Sequence, residues 1–326
     1  MKRLCIFAHW DRDKIIDDYV IYYLKALKEV CETIIFVSDC NLEANEINKL
    51  DNIADFVIAQ KHGEYDFGSY KRGFLFAKEK NLQFDELLLV NDSCYGPFYP
   101  LKHVFEKMNK KKCDFWGITQ NSYVIKMTSK GINFCYKPHI QTYFILLRPQ
   151  TFMTFEDLIQ TVKPEKTKED VVINYEIGLS TLLKNKGFKC AVYCDKFKHV
   201  ENCTLAKWDK LIQKYKFPFL KTSIAKFGLP LWGEQKNLFE ILPQSYPRIF
   251  IENQQKRLRK PYSNDFKNLS CREKFLHFLI RYTTIEAYSL AKLIDRKIIS
   301  SFCRLFRYIS QKFWSTLFPT KVFCSY

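Results

Sequence analysis

Residues 87–93 read Leu87-Leu88-Leu89-Val90-Asn91-Asp92-Ser93. Four consecutive apolar residues before a polar triplet predict a strand that is buried on both faces and ends at the triplet. In open α/β sheets, ligands bind beyond the carboxyl ends of the strands, so Asp92 is well placed to hold a divalent metal or a diphosphosugar. The triplet is equally typical of a turn or helix cap before Tyr95-Gly96-Pro97. Both interpretations stay open.

Short apolar runs of the same kind occur on both sides of this strand, at residues 4–8, 34–37, 56–59, 115–118 and 143–147. Helical patterns lie between several of them, such as 15–30 and 101–109. A helix at about 171–185, which Gly187 would end, precedes a strand at 189–193. This alternation predicts βαβ units, and therefore an α/β fold with a mostly parallel sheet.

The composition is that of a globular protein, with 47% hydrophobic residues among 326. A net charge of +17 favours anionic partners: nucleic acid, an acidic membrane surface or a phosphorylated substrate. Charge breaks the first apolar run too early for a signal peptide, so we expect a cytoplasmic protein. The 12 cysteines are then expected to be reduced thiols and not a disulfide framework.

Composition changes along the chain predict three parts: an α/β domain at 1–225, an irregular segment rich in Pro and aromatic residues at 226–270, and a basic tail at 271–326. The tail has ten Lys and Arg against three Asp and Glu, a net charge of +7. An apolar stripe at helical spacing runs along it, beginning with Ile294, Ile298 and Phe302. Such an amphipathic helix suits the surface of an anionic membrane, or it packs on the domain as ordinary core.

A second candidate segment, residues 61–73, contains three glycines, which permit close backbone approach to a ligand. Lys71 and Arg72 could meet a phosphate, and Asp66 could accept a hydrogen bond from a sugar or ribose hydroxyl. The alternative is a glycine-rich connection into a helix. The spacing matches neither a GxGxxG nor a Walker loop.

Two more carboxylates draw attention through their place in the chain order. Asp39 follows the second predicted strand, and Glu176 lies near the start of the later helix. A carboxylate on the first turns of a helix can point into a cleft and act as a general base towards an acceptor hydroxyl. Most helix glutamates are merely solvated, however, so Glu176 alone is a weak signal.

The chain resembles the rhamnan synthesis protein F family, and its layout is similar to that of GT-A glycosyltransferases. The blocks that carry the resemblance are Leu-Cys-Ile-Phe-Ala-His-Trp-Asp at 4–11, Phe-Val-Ser-Asp at 36–39, Tyr-Asp-Phe-Gly-Ser-Tyr-Lys at 65–71, Asn-Asp-Ser-Cys-Tyr-Gly-Pro at 91–97, Asp-Phe-Trp-Gly-Ile-Thr at 114–119, His-Ile-Gln-Thr-Tyr-Phe at 139–144 and Glu-Ile-Gly-Leu-Ser at 176–180. They extend to Pro-Phe-Leu-Lys at 218–221, and the tail is expected to lie outside the resemblance. Thr142 stands where Ser is common, and His62 where Asn is common.

This resemblance implies a bacterial glycosyltransferase with a GT-A-like nucleotide-sugar-binding domain, typically a rhamnosyltransferase. It would transfer rhamnose from dTDP-rhamnose to rhamnan, a lipopolysaccharide O-chain or a related glycan. The expected partners are the nucleotide-sugar donor, a polyprenyl-linked or other lipid-linked acceptor, and the inner face of the cytoplasmic membrane; nucleic acid is not expected.

The mechanism we expect is inversion at the sugar carbon, with Glu176 as base and Asp114 as the reserve candidate. Asp39 would hold the nucleoside, and Asn91 and Asp92 the donor. The charge of the departing diphosphate would be offset by Lys71 and Arg72, or by Mg²⁺ or Mn²⁺ on Asp92. The sequence leaves the metal requirement open.

Histidines supply the remaining candidates. GT-A enzymes often recruit a late histidine to the metal, a role that His199 could take beside Asp92. His139 and Gln141 could line the acceptor side or make ordinary loop hydrogen bonds. Structural zinc is disfavoured, since Cys190 and Cys194, four apart on a strand, would lie roughly 13 Å from one another.

Two other classes of protein remain as alternatives. The basic charge alone would permit a non-catalytic nucleic-acid-binding protein, although the sequence contains no helix-turn-helix, zinc-finger or RNA-recognition motif. An inactive scaffold with a glycosyltransferase-like fold is the third possibility.

Overall fold

The computed structural model describes residues 1–128, 131–197, 202–227 and 238–258. The strands are β1 (Arg3–His9), β2 (Thr33–Ser38), β3 (Phe56–Ala59), β4 (Glu86–Asn91), β5 (Cys94–Tyr95), β6 (Phe115–Gly117), β7 (Gln120–Thr128), β8 (Gly131–Ile140), β9 (Phe144–Leu147), β10 (Cys190–Val192) and β11 (Leu220–Lys221). The helices are α1 (Asp18–Lys28), α2 (Ala44–Ile47), α3 (Tyr65–Glu79), α4 (Leu101–Asn109), α5 (Phe152–Gln160), α6 (Lys168–Val171), α7 (Ile177–Asn185), α8 (Cys203–Ala206), α9 (Trp208–Tyr215), α10 (Thr222–Phe227), α11 (Leu238–Ile241) and α12 (Arg248–Leu258). Short 3₁₀ turns occur at Asn48–Leu50 and Pro149–Thr151, and a π-helical turn, Val172–Glu176, joins α6 to α7.

The central sheet has seven strands in the order β10-β6-β9-β4-β1-β2-β3. Every neighbouring pair is parallel except the two made by β9, which runs antiparallel to β4 and to β6. The seven apolar runs predicted as strands all lie in this sheet. The α/β class and the mostly parallel sheet are therefore confirmed.

The apolar run at 87–90 forms the middle of the sheet. Leu87, Leu88, Leu89 and Val90 are completely buried, because β4 lies between β1 and β9 and both of its faces are covered. Leu88 and Val90 join a core that includes residues of α1 and α4. Leu87 and Leu89 join a second core, on the other face, that includes residues of α3, α5 and α7. Burial on both faces explains why the run has no polar alternation.

A buried ion pair joins β1 to β4 at their amino ends. Arg3 Nη2 lies 2.5 Å and Arg3 Nε 2.9 Å from Glu86 Oε2, and the two side chains are 9% and 1% exposed. The Arg3 guanidinium also lies 3.7 Å from the centre of the Phe105 ring. Since both charges are desolvated, each depends on the other for its stability in the core.

The structure corrects the expected local organisation in two places. The helix predicted at 171–185 begins earlier, at Lys168, because the Thr167 side chain caps it by accepting a hydrogen bond from Asp170 N. The stretch 226–270 is not irregular where it is described, since it contains α11 and α12. The buried positions of α12 are Ile251 and Gln254, and the polar character of Gln254 conceals the helical period.

The amphipathic tail predicted at 271–326 falls outside the described residues, and the three domain boundaries stay predictions. Within the described ranges, no helix has both the length and the apolar character to span a bilayer.

A candidate active site at the carboxyl edge of the sheet

Polar side chains gather where β4 ends. The strand finishes at Asn91, and Asp92 and Ser93 follow at the carboxyl edge of the parallel strands. Because β9 is antiparallel to β4, Thr142 and Tyr143 precede it at this same edge. We refer to this region as the carboxyl-edge site.

Helix α3 contributes Asp66 from its first turn. Asn91 Nδ2 donates a hydrogen bond to Asp66 Oδ2 at 3.0 Å, and Asn91 Oδ1 accepts one from Ser93 Oγ at 2.6 Å. Burial raises the pKa of Asp66, and the negative charge of Glu176 raises it further. Asp66 is therefore a carboxylate whose charge is disfavoured by its surroundings.

The height of α3 above the sheet depends on Gly73. A Cβ at this position would lie 2.5 Å from Ile6 Cγ2 on β1, so only glycine allows the helix to pack so close. Gly68 is likewise packed against the Glu64 and His62 side chains. Both glycines allow close packing inside a helix. This agrees with the interpretation of residues 61–73 as a glycine-rich connection into a helix, and not as a loop that binds phosphate.

Glu176 enters the site from the π-helical turn, a feature that is frequent at functional sites. Its Oε2 accepts hydrogen bonds from Thr142 Oγ1 at 2.7 Å and Thr142 N at 3.1 Å. Its Oε1 lies 3.4 Å from His139 Nε2. Burial by itself raises the pKa of Glu176, but His139 and the Thr142 donors outweigh it, so the pKa is lower than usual. Glu176 thus stays ionised where Asp66 resists ionisation.

His139 is buried beside Glu176. Its Nδ1 lies 2.7 Å from the Lys137 carbonyl oxygen, and a carbonyl only accepts, so Nδ1 carries the proton. When the ring is protonated, Nε2–H faces Glu176 Oε1 and its positive charge lowers the pKa of that carboxyl, whereas the neutral ring presents a lone pair there. Gln141 instead points to Thr119, whose Oγ1 donates to Gln141 Oε1 at 2.8 Å. Of the two predicted acceptor residues, only His139 contacts the predicted base.

Asp92 and Asp39 both hold loops of the site. Asp92 Oδ2 accepts a hydrogen bond from Trp10 N at 2.9 Å and so fixes the loop after β1. Asp39 Oδ1 accepts from His62 N at 2.6 Å and Gly63 N at 2.8 Å, and Asp39 is only 7% exposed. The observed contacts of Asp39 order the turn before α3, whereas its predicted role was to hold the nucleoside.

Lys71 and Arg72, the two cations predicted to meet a phosphate, lie away from the other predicted residues of the carboxyl-edge site. Lys71 Nζ donates to the Val162 carbonyl oxygen at 3.1 Å, and Arg72 Nη1 donates to Glu64 Oε2 at 2.6 Å. Both lie beyond the first turn of α3 because that helix begins at Tyr65, within the segment expected to cradle phosphate.

Asp114, the reserve candidate for the base, lies at the amino ends of the parallel strands, opposite the carboxyl-edge site. It precedes β6, which runs in the same direction as β4, and its carboxylate accepts from Lys189 N at 2.6 Å and Gln150 Nε2 at 2.5 Å. These two donors lower the pKa of Asp114. The chain position of Asp114, before a strand and not after it, is the reason for this separation.

Among the residues that the structure describes, none forms a metal site with Asp92. In the described ranges, no group of three or more His, Cys, Asp or Glu side chains is arranged to hold a metal ion. His199, the predicted second ligand, lies outside those ranges.

Three residues near the site were missed by sequence reasoning. Trp10 is 54% exposed beside Asp92. Arg257, on α12, donates to Asp11 Oδ2 and Asp17 Oδ2, each at 2.7 Å, and so fastens the loop after β1. Lys221 reaches Ser93. Trp10 had a local signal, its place directly after a strand, and Lys221 ends the block at 218–221 that carries part of the resemblance.

The sheet order and the polar groups at its carboxyl edge are those of an α/β domain with a GT-A-like layout, in which ligands bind beyond the carboxyl ends of the strands. The family model described as Rhamnan synthesis protein F matches residues 34–293, and the chain belongs to this family. The match includes residues 271–293, so the expectation that the whole tail lies outside the resemblance was wrong. Family membership makes the chain a glycosyltransferase, as the resemblance implied.

Individual proteins are similar at low identity. Virulence protein VirA of Vibrio anguillarum is 23% identical over 301 residues, which cover 82% of this chain and 89% of VirA. A 4-diphosphocytidyl-2C-methyl-D-erythritol synthase from Anaerococcus prevotii gives a TM-score of 0.41 at 14% identity, covering 62% of this chain and 90% of that enzyme. A putative nucleotide-diphospho-sugar transferase from Desulfovibrio desulfuricans G20 gives 0.34 at 12% identity, with coverage of 59% and 80%.

Proposed function

We propose that this glycosyltransferase transfers rhamnose from dTDP-rhamnose to a growing cell-surface glycan, with inversion at the sugar carbon. The observation that carries the proposal is the pair of carboxylates, Asp66 and Glu176, at the carboxyl edge of β4. Their pKa values are shifted in opposite directions. Surroundings that shift the pKa values of two neighbouring carboxylates in opposite directions are typical of sites where each carboxylate has a separate role.

The acceptor side is formed by Glu176 and His139. The acceptor hydroxyl attacks the sugar carbon, the bond from that carbon to the diphosphate oxygen breaks, and the hydroxyl proton moves to Glu176 Oε1. His139 faces that oxygen through Nε2, with its Nδ1–H engaged by Lys137 O, and so stabilises the ionised form of Glu176 that accepts the proton. The products are the extended glycan and dTDP.

The donor side is formed by Asp66, Asn91 and Asp92. Asp66 accepts from a sugar or ribose hydroxyl, and Asn91 holds Asp66 in place through its amide. Asp92 orders Trp10 and the loop after β1. Mg²⁺ or Mn²⁺ is retained as a proposed cofactor, and no step of this scheme depends on it.

The acceptor is a polyprenyl-linked or other lipid-linked glycan, and the enzyme works as a peripheral protein on the inner face of the cytoplasmic membrane. The net charge of +17 and the basic tail support this placement. The family description supports a rhamnose-containing product.

The decisive experiment assays the purified full chain against a panel of nucleotide sugars, with and without a chelator. We expect turnover with dTDP-rhamnose and release of dTDP. Turnover with a different nucleotide sugar only would mean that the transferred sugar is not rhamnose. Binding of dTDP without any turnover would indicate an inactive scaffold. Loss of activity with chelator would establish the metal requirement. If no nucleotide sugar binds and a nucleic-acid probe shifts in a salt-dependent way, the proposal is wrong.

A further inference from the structure

Lys221 reaches the carboxyl-edge site from a distant part of the sequence. Its strand, β11, pairs antiparallel with β5, and the register places Lys221 opposite Cys94. Thr222 N also donates to the Ser93 carbonyl oxygen at 2.9 Å, so the backbone on both sides of the pairing is fixed. The Lys221 side chain is therefore held immediately beyond the end of β4.

The contacts of the Lys221 ammonium are with uncharged groups. Its Nζ donates to Ser93 Oγ at 3.0 Å and lies 3.9 Å from the centre of the Tyr143 ring. No carboxylate in the described ranges lies within 4.0 Å of this Nζ. Several other cations do have such partners: Lys28 with Asp55, Lys49 with Glu46, and Arg72 with Glu64.

A half-buried ammonium without a carboxylate partner has lost part of its solvation, which favours an anion beside it. Lys221 has three N–H donors, of which Ser93 accepts one and the buried, uncharged Cys94 thiol interacts with another. The Tyr143 ring stabilises the charge through its π-face but does not neutralise it. The site thus retains a positive charge whose position is fixed in advance of ligand binding.

Lys221 is also the first member of a directed hydrogen-bond chain. Lys221 donates to Ser93, Ser93 Oγ donates to Asn91 Oδ1, and Asn91 Nδ2 donates to Asp66. All three hydrogen bonds run in the same direction, which fixes the ammonium relative to the carboxylate proposed to hold the donor. A ligand that contacts Asp66 through a hydroxyl group thereby lies near Lys221.

From this arrangement we infer that Lys221 binds the diphosphate of the nucleotide-sugar donor and offsets the charge that develops on the leaving nucleoside diphosphate. The inference rests on the proposed function and names the residue that binds the diphosphate of the donor. Lys71 and Arg72 were expected to do this work, but their observed contacts lie elsewhere. A preorganised cation in a partly desolvated site acts more strongly on developing charge than a solvated one.

The test measures dTDP binding to the full chain by calorimetry. Lys221→Gln should weaken dTDP binding by about 10- to 100-fold, the range of one charge-assisted hydrogen bond. Lys221→Arg should retain most of the affinity, since it keeps the charge. Lys78→Gln, at an exposed lysine paired with Glu156, is the control and should bind dTDP as the unmodified protein does. Thymidine, which has no phosphate, should bind equally to all four proteins.

Ser93→Ala provides a second route, because it removes the hydroxyl that orients Nζ without changing the charge. We expect a smaller loss of dTDP affinity, about 3- to 10-fold. If folded Lys221→Gln binds dTDP normally, or loses thymidine affinity equally, the inference is wrong. If the unmodified protein binds neither dTDP nor any other nucleoside diphosphate, the proposed function itself fails.

Discussion

Replacing Glu176 by Gln removes a charge from the site and preserves the shape of the side chain. The amide oxygen can accept from Thr142 Oγ1 and Thr142 N, as Oε2 does now at 2.7 and 3.1 Å. The amide nitrogen then faces the lone pair of His139 Nε2 and can donate to it. Because no buried polar group loses its partner, we expect the free energy of unfolding to change by less than about 1 kcal/mol.

The catalytic effect should be far larger than the effect on stability. A general base contributes about 10²- to 10⁴-fold to the rate, which corresponds to about 2.7 to 5.4 kcal/mol of activation free energy. We expect kcat to fall by this factor in Glu176→Gln. The dissociation constant of the donor should stay nearly unchanged, because the base acts on the acceptor. Initial rates and donor calorimetry measure the two quantities separately.

The pH profile gives an independent check on the same residue. Burial raises the pKa of Glu176, but His139 and Thr142 lower it further than burial raises it. The acid limb of kcat/KM should then lie below the ordinary range for glutamate, and Thr142→Val should move it to higher pH. The sign for stability follows: ionised Glu176 stabilises the fold above its unfolded-state pKa, and this contribution is lost as pH falls through the lower folded-state pKa.

Glu169→Gln is the matched control, since Glu169 is exposed on the neighbouring helix α6. It should leave kcat and donor affinity unaltered. A folded Glu176→Gln protein with a normal kcat would refute the assignment, and equal loss of donor affinity would indicate a donor-site role. If Asp66→Asn alone abolishes turnover, the role of base passes to Asp66.

Four further outcomes are expected. Asp92→Asn should lower the rate by ~10² or more at unchanged fold; full turnover in the folded variant would contradict its assignment. Arg257→Gln should free the loop after β1 and raise the donor KM roughly tenfold with little change in kcat, and an unchanged KM would argue against this positioning role. In urea unfolding, Glu86→Gln should cost about 3–5 kcal/mol by stranding the Arg3 charge, whereas an Arg3→Met/Glu86→Leu double variant should be near neutral; a loss below about 1 kcal/mol would contradict the dependence of Arg3 on Glu86. Removal of residues 271–326 should reduce co-sedimentation with anionic liposomes, and undiminished binding by the folded, shortened chain would rule out a membrane role for the tail.

The elements predicted well are those whose signal is local. Helix α4 occupies the predicted residues because apolar side chains recur at helical spacing over a short, uninterrupted stretch. Strand β4 was predictable because burial on both faces leaves a continuous apolar run. The position of Asn91 and Asp92 at the carboxyl edge followed from the order of strand and polar triplet, with no knowledge of the neighbouring strands.

The elements predicted poorly depend on contacts between distant residues. Lys221 reaches Ser93 through a two-residue strand pairing, and Arg257 meets Asp11 from the far end of the described chain. Neither has a periodic pattern around it. For Asp114 the failure was different, because the sequence places it before a strand and hence at the opposite edge. The partners of charged side chains decide which of these residues lie together, and a sequence does not display those partners.

The distance between the proposed donor and acceptor residues depends on Gly73, which contacts neither group. Gly73 sits in the middle of α3, where one methyl group would collide with Ile6 on β1. Adding that group would push the helix outward and draw Asp66 away from Asn91, which is fixed in the same sheet as Ile6. The absence of a Cβ at position 73 therefore sets how close Asp66 lies to Asn91, and with it the width of the site. Variation at Gly73 would alter the reaction without altering any residue that meets a substrate.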